Sequence, residues 1–188
     1  MSSKLSFAIA FTCVTIISNT SFGQPIFFSG TGNYYELIQS NQTWDEAAAT
    51  AAALFFNGAQ GHLATITSQA ENDFIQNSFA VGGAWIGLSQ ALGAQEPAGG
   101  FGWITGEQFV FDSFPPNGGE PNNNSGNPNN PNERFVEFNG TTGLWNDLNS
   151  DNNRFFFVEF ETSQVPEPSS GCLYFLGIAF LIAKRNRI

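Results

Sequence analysis

Cysteine is almost missing from this chain: two occur in 188 residues, Cys13 and Cys172, and each lies in an apolar terminal stretch. The segment between them cannot close an internal disulfide, and it offers neither a thiol nucleophile nor a zinc–thiolate site. Cations are scarce too, with six Lys and Arg against sixteen Asp and Glu. Between residues 24 and 170 only Arg134 and Arg154 stand against all 16 acids, so that stretch carries 2 − 16 = −14. Such a surface repels polyphosphate and anionic lipid and collects cationic counterions, so nucleic acid is not an expected partner. The single histidine, His62, lies in Gly61-His-Leu-Ala-Thr-Ile66, which reads as a turn into a strand, and the residue is taken as structural. An apolar run of full membrane-spanning length is lacking as well. What remains is rich in core material: 41% of residues are hydrophobic, 15% are aromatic and 21 are Phe. That composition excludes global disorder, and the length suits one domain with accessory segments.

The two ends differ from the middle. Residues 1–23 have an early cation (Lys4), an apolar run from Phe7 to Ile17 and the small-residue exit Ser21-Phe22-Gly23. These are the parts of a secretory signal peptide, with cleavage expected before Gln24. At the other end, residues 163–170 form a linker containing Val165-Pro-Glu-Pro-Ser-Ser170, followed by apolar Gly171–Ala183 and the basic Lys184-Arg185-Asn186-Arg187. Thirteen helical residues reach about 20 Å, short of a hydrocarbon core of roughly 30 Å, so 171–183 suits a transient membrane anchor better than a permanent transmembrane helix. The terminal cations would stay on the cytoplasmic side and leave the domain outside. This order of elements resembles the PEP-CTERM sorting signal of Gram-negative bacteria. The resemblance implies removal of the tail by an exosortase and a secreted or cell-surface protein in a host that makes extracellular polysaccharide. A plain tail anchor is the simpler reading of the same residues.

In the middle, Tyr34–Ile38 reads as a short strand. Thr43 with Glu46 three residues on is a capping-box signature, and Trp44, Ala47, Ala48, Ala51 and Phe55 recur at helical spacing, which predicts a first helix. Ser68 and Glu71 repeat the signature before Ala70, Phe74, Ile75 and Phe79, which predicts a second. After Gly83 short aromatic and β-branched runs alternate with Gly, Asn and Pro, the pattern of strands and long loops, with aromatic strands expected within Phe101–Phe114 and Phe155–Phe160. Two helices followed by strands give an α+β fold.

Five stretches then fall in a familiar order: Thr43-Trp-Asp-Glu-Ala, Gly61-His-Leu-Ala-Thr, Ala84-Trp-Ile-Gly-Leu88, Gly119-Glu-Pro-Asn122 and Leu144-Trp-Asn-Asp147. Together they resemble the C-type lectin-like domain over roughly Phe27–Thr162, so residues 24–162 are expected to form that domain. The resemblance implies two helices with two small antiparallel sheets and a long loop region. It also implies one Ca2+ held by Glu120, Asn122, Asn146 and Asp147 with a further acid between them, the same groups binding two vicinal hydroxyls of a sugar. Glu133 is assigned as that acid, because Glu133-Arg-Phe135-Val136 follows the acid-x-Cys-Val step of the family; Asn132 or a loop carbonyl could take its place. Calcium takes six to eight oxygen ligands, which carboxylates and amide carbonyls supply. Pro121 carries over as a cis peptide, which costs proline only about 0.5–1 kcal/mol. Glu-Pro-Asn resembles the mannose-type binders, so the expected ligands are mannose, glucose, fucose or N-acetylglucosamine residues, or a polysaccharide containing them.

The chain also departs from the family. Asn123–Asn132 is a longer, Asn-rich insertion, and the usual acids of the auxiliary calcium site stand as Asn123 and Arg134, so the resemblance does not extend to a second ion there. Glu71 and Glu159 could hold a structural ion, or serve more simply as a cap and a strand surface residue. Phe135 and Val158 occupy family cysteine positions. A native bridge is typically worth about 2–5 kcal/mol, so a Phe-rich core and bound calcium are expected to compensate. Catalysis is not expected, since residues 24–162 hold no thiol, the one histidine is taken as structural, and the catalytic cysteines of formylglycine-generating enzymes, which share a related fold, are absent. The same resemblance also admits a module that binds protein, or builds extracellular matrix, without recognising sugar.

Overall fold

The structure, a computed structural model, describes residues 23–162 apart from 80, 118, 128 and 131. The segments expected to be a signal peptide, a linker and a sorting signal lie outside the described residues, apart from Gly23. Eleven elements follow one another in the described part: β1 (Ile26–Phe28), β2 (Asn33–Gln42), α1 (Trp44–Ala53), β3 (Phe55–Phe56), β4 (Ala59–Leu63), α2 (Gln69–Ser78), β5 (Ala84–Gln90), β6 (Phe101–Trp103), β7 (Phe135–Phe138), β8 (Trp145–Leu148) and β9 (Arg154–Phe160).

Helix α1 begins as the sequence predicts. The Thr43 side chain accepts from the Glu46 N–H and Glu46 Oε2 accepts from the Thr43 N–H at 3.0 Å, so two N–H groups that the helix leaves unpaired are satisfied reciprocally. Its buried face is Trp44, Ala47 and Ala51. Small residues there let the helix lie almost on the backbone of β4, where a Cβ on Gly61 would stand 2.7 Å from the Ala51 carbonyl oxygen. Phe55 is a correction: the helix stops before it, and Phe55 is two-thirds exposed at the start of a hairpin that turns through Asn57 and Gly58, both at positive φ. Helix α2 has half of its expected box. Ser68 accepts from the Glu71 N–H, but the Glu71 carboxylate turns inward, and the buried residues are Glu71, Asn72 and Ile75, with Phe74 and Phe79 only partly covered and Ala70 exposed.

The strands run in the order β1-β2-β9-β5-β7-β8, all antiparallel except β5 against β9. That parallel contact, Ala84–Phe155 and Trp85–Phe156, joins what was expected as two small antiparallel sheets into one connected ladder. Strand β9 is the branch point, pairing β2 along one edge while β4 and β5 share the other. It is buried on both faces, since Phe157 belongs to the core under α2 whereas Phe156, Val158 and Phe160 belong to the core under α1. Phe135 lies with Val158 in this second core, so the two positions expected to stand in place of family cysteines both hold buried apolar side chains. The expected aromatic strand over 101–114 is real only at β6. Beyond Trp103 the chain is irregular, yet Phe109, Phe111 and Phe114 still pack inward, two of them edge-on to Trp145 at 5.7 Å. Three indoles are anchored by hydrogen bonds: Trp44 to the Ile86 carbonyl, Trp85 to the Gln42 carbonyl and Trp145 to Asn72 Oδ1.

Candidate functional site

Trp145 sets the geometry of the candidate site because it fixes β8 to the core, and the next two residues carry the polar groups. Along β8 the side chains alternate, so Trp145 and Asp147 are buried while Asn146 is partly open to solvent. Strand β7 lies alongside, with Val136 opposite Asp147 and Glu137 opposite Asn146, and Glu133 precedes that strand by two residues. The long connection from β6 to β7, held down by Phe109, Phe111 and Phe114, brings Glu120 and Asn122 over the same strands.

The structure unites four of the predicted residues through their contacts and adds the fifth beside them. Asp147 Oδ1 and Oδ2 accept from the backbone N–H groups of Asn122 and Asn123 at 3.1 and 3.0 Å. Glu133 Oε2 accepts from the Asn124 N–H at 2.7 Å, and Asn123 Oδ1 accepts from the Glu133 N–H at 2.7 Å. The Asn146 amide lies between two acids. With its nitrogen toward Glu120 it donates at 2.8 and 3.2 Å, whereas toward Glu137 it makes one bond of 3.4 Å, so the first orientation is assigned. The Glu120–Pro121 peptide is cis, as expected, and Asn123 sits at φ 51°, a conformation that asparagine tolerates better than most residues.

Electrostatically the site is a crowd of like charges. Burial, and then the neighbouring Asp147 and Glu133, push the Glu120 carboxyl up to about 7. Burial raises Glu133 as well, assisted by Asp147 and Glu137 and opposed by the Asn124 N–H. The nearby cations do not neutralise these acids: Arg134 donates to the Gln90 carbonyl oxygen through Nε and Nη2 with its guanidinium 5.5 Å from the Phe135 ring centre, and Arg154 pairs with Glu137. Glu137 is the residue that sequence reasoning missed. Its signal was strand alternation, which turns it away from buried Val136 and Phe138, and the β7–β8 register then sets it opposite Asn146.

These donors fit a hard cation. All are oxygens, three belong to carboxyl groups, and the resistance of Glu120 to ionisation is relieved by adding positive charge. Among the described residues no three acidic, histidine or cysteine side chains form a metal cage by themselves. The set therefore depends on the Asn122 and Asn146 amides, and the carboxylates that cap backbone N–H groups retain further lone pairs for an ion.

Similar sequences and a similar fold occur in known proteins. The sequence profile of the lectin C-type domain matches residues 40–158. This chain belongs to the C-type lectin domain family. A lectin of Pleurodeles waltl is 30% identical over 136 residues, covering 69% of this chain and 71% of that protein. Halomucin of Haloquadratum walsbyi is 41% identical over 86 residues, 46% of this chain, and the chain spans only 1% of that protein. Among solved structures, the cow C-type carbohydrate-recognition domain of CD23, crystallised in the presence of a GlcNAc2Man3 oligosaccharide, aligns with TM-score 0.58 at 24% identity, covering 74% of this chain and 94% of that one. C-type lectin domains are generally non-enzymatic and typically bind calcium, although some members lack it.

The other predicted acids of this C-type lectin domain are elsewhere. Glu71 and Glu159 are both buried, so Glu159 is not a strand surface residue, and the Tyr35 hydroxyl lies 2.6 Å from Glu71 Oε1 and 2.9 Å from Glu159 Oε1. His62 lies in β4, with Nδ1 2.9 Å from the Leu63 carbonyl oxygen and Nε2 3.4 Å from Glu161.

Proposed function

We propose that this chain is an exported, calcium-dependent carbohydrate-binding protein that acts on cell-surface or extracellular polysaccharide without catalysing a reaction. The observation that carries the reading is the assembly of Glu120, Asn122, Glu133, Asn146 and Asp147 from one loop and one strand, with three carboxyl groups and no basic side chain among them. These five residues would hold one Ca2+. Bound there, the ion would supply a positive centre able to take two vicinal sugar hydroxyls as oxygen ligands. The protein's own part is to receive the remaining hydroxyl protons on carboxylates and to donate from the Asn122 and Asn146 amides. A hydroxyl both donates and accepts, so a shell of acids and amides matches a diol more closely than acids alone. Glu-Pro-Asn at 120–122 favours the mannose, glucose, fucose and N-acetylglucosamine class. The lectin relative from Pleurodeles waltl supports sugar binding in general.

Export rests on the composition of 1–23 and 163–188, which supports a signal peptide, transient anchoring through 171–183 and release by an exosortase-type enzyme in a Gram-negative bacterium. The decisive experiment is a glycan array probed in calcium, in EDTA, and with Glu120→Gln, with thermal melts of each sample. Mannose-class signals that vanish in EDTA and in the variant are expected, with a melting point raised by calcium in the wild type. Glycan signals indifferent to both changes would overturn the calcium site.

A further inference from the structure

A row of aromatic rings crosses the sheet where the described chain ends. Phe27 of β1 lies 5.1 Å from Tyr34 of β2, Tyr34 lies 4.9 Å from Phe56 of β3, and Phe56 lies 5.8 Å from the buried Phe160 of β9. Phe27 is half exposed and Phe55, beside Phe56, is two-thirds exposed. Phe55 pairs with Gln60 of β4, and Gln60 lines a cavity of about 440 Å³ with an apolar wall of Ala48, Ala52 and Ile104 and an acidic rim at Glu161. Glu107 belongs to the same field: burial, and then the charge of Glu161, raise its carboxyl against the pull of His62. No Lys or Arg among the described residues answers these acids, because Arg134 is bound to the Gln90 carbonyl and Arg154 to Glu137.

The chain carries a complement to both parts. Apolar Gly171–Ala183 leads directly into Lys184-Arg185-Asn186-Arg187, which holds three of the six cations in the sequence. It also departs from the right place, since Glu161 on the cavity rim is followed at once by Thr162, which is tied to Gly32 and Asn33 at the β1–β2 turn. The lengths agree as well. Residues 163–170 include two prolines. Extended at about 3.1 Å per residue they cover roughly 25 Å, and 171–183 as a helix covers about 20 Å. A helix doubling back on that linker returns its basic end to within about 5–10 Å of Thr162, next to Glu161. On the way it crosses the line Phe27, Tyr34, Phe160 and Gly61, which is three strand spacings or about 14 Å wide.

We propose that Gly171–Ala183 docks back on its own domain along the aromatic row, with Lys184, Arg185 and Arg187 against Glu161 and Glu107, and stays covered there until a membrane takes it up. The inference is independent of the lectin reading. Attachment through the linker gives the segment an effective concentration of about millimolar, so a modest contact suffices. Other occupants fit less well. A second copy would bring the same acids face to face, and an anionic bilayer is repelled by a domain whose residues 24–170 carry 2 − 16 = −14. The N-terminal apolar run from Phe7 to Ile17 offers one cation, Lys4, where the tail offers three.

The test is photo-crosslinking of the full chain in dilute, detergent-free buffer, with benzoylphenylalanine in place of Phe27 or, as a control, of the exposed Leu92. Tandem mass spectrometry locates each adduct, and mixing light and heavy isotope chains separates links within one molecule from links between two. Links from position 27 into 171–183 of the same molecule should exceed those from position 92 about tenfold. Glu107→Lys/Glu161→Lys, at two exposed positions, should lower the yield at position 27 about threefold or more and leave the melting point unchanged. Equal yields from the two positions, indifference to the charge reversal, links to Phe7–Ile17 in place of the tail, or links only between molecules would each overturn the docking. Absence of any link to 171–183 in buffer, with lipid adducts at position 27 once phosphatidylglycerol vesicles are added, would give the row to a bilayer and overturn it too.

Discussion

The phenol of Tyr35 has one proton and two buried carboxyl groups to satisfy. It donates to Glu71 or to Glu159, and Thr31 Oγ1 lies 3.1 Å from the same oxygen. Burial, and then the charges of both acids, hold the phenol well above its ordinary range, so it remains a donor. Burial also raises Glu71, and burial with the charge of Glu71 pushes Glu159 up to about 7 against the opposing pull of Thr65, His62 and Asn33. Glu36 is pushed to about 7 by burial alone, with no hydrogen-bond partner for Oε1. A carboxyl whose folded value lies above its unfolded one stabilises the fold fully below the unfolded value, and that contribution is lost as pH rises through the folded one. The metal-free protein should therefore lose stability between about pH 4.5 and 7. Denaturant midpoints across that range should fall for the wild type and fall less steeply for Glu159→Gln; an identical slope would show that Glu159 does not titrate there. The sequence analysis paired Glu71 with Glu159 as one alternative, but the burial of both acids and the part of Tyr35 were not legible. Glu159 looked like the polar position of an alternating strand, and only the burial of β9 on both faces puts its carboxylate inside.

At the scale of elements, helix beginnings were legible and endings were not. Thr43 and Ser68 announce both helices because capping is local chemistry, written within three residues. Phe55 continued the helical spacing, yet the chain leaves α1 before it to form the β3–β4 hairpin. The Asn57-Gly58 pair, both residues at positive φ, was the available signal for that turn. Gly61 in the returning strand then meets the helix so closely that a methyl group would stand 2.7 Å from both the Ala51 carbonyl oxygen and Val158 Cγ1. Gly61→Ala should cost about 1–3 kcal/mol in equilibrium unfolding, since both neighbours are fixed in packed elements. A loss within a few tenths would mean that α1 can lift from the sheet. The stretches that meet at the proposed site, Glu-Pro-Asn and Trp-Asn-Asp, were readable because each is a contiguous string. The bracing of the site's loop by Asp151, Ser150 and Asn149 was not, because a hydrogen bond between two polar loops some twenty residues apart leaves no periodicity behind.

For the whole molecule, the sheet sets the end of the described chain and the proposed site at opposite ends of the strand order. The described chain starts and finishes beside β2, where the Thr162 N–H donates to Asn33 Oδ1 and its hydroxyl donates to the Gly32 carbonyl, while the proposed site lies on β8 at the opposite end of the strand order. A tether at 163–188 would thus leave the sugar-binding edge turned away from the point of anchorage. The shortage of cations has a consequence of a different kind. Trypsin cleaves only after Lys or Arg, and residues 24–170 contain two such positions, Arg134 and Arg154. One guanidinium, next to Glu133 in the chain, is bound to the Gln90 carbonyl, the other to Glu137 beside Asn146. The folded domain should accordingly survive trypsin intact and, once heated, divide after those two arginines. A cut after Arg134 that comes early at ambient temperature would report the Glu133 contacts with Asn123 and Asn124 opening, so a common protease becomes a gauge of whether the proposed site is closed.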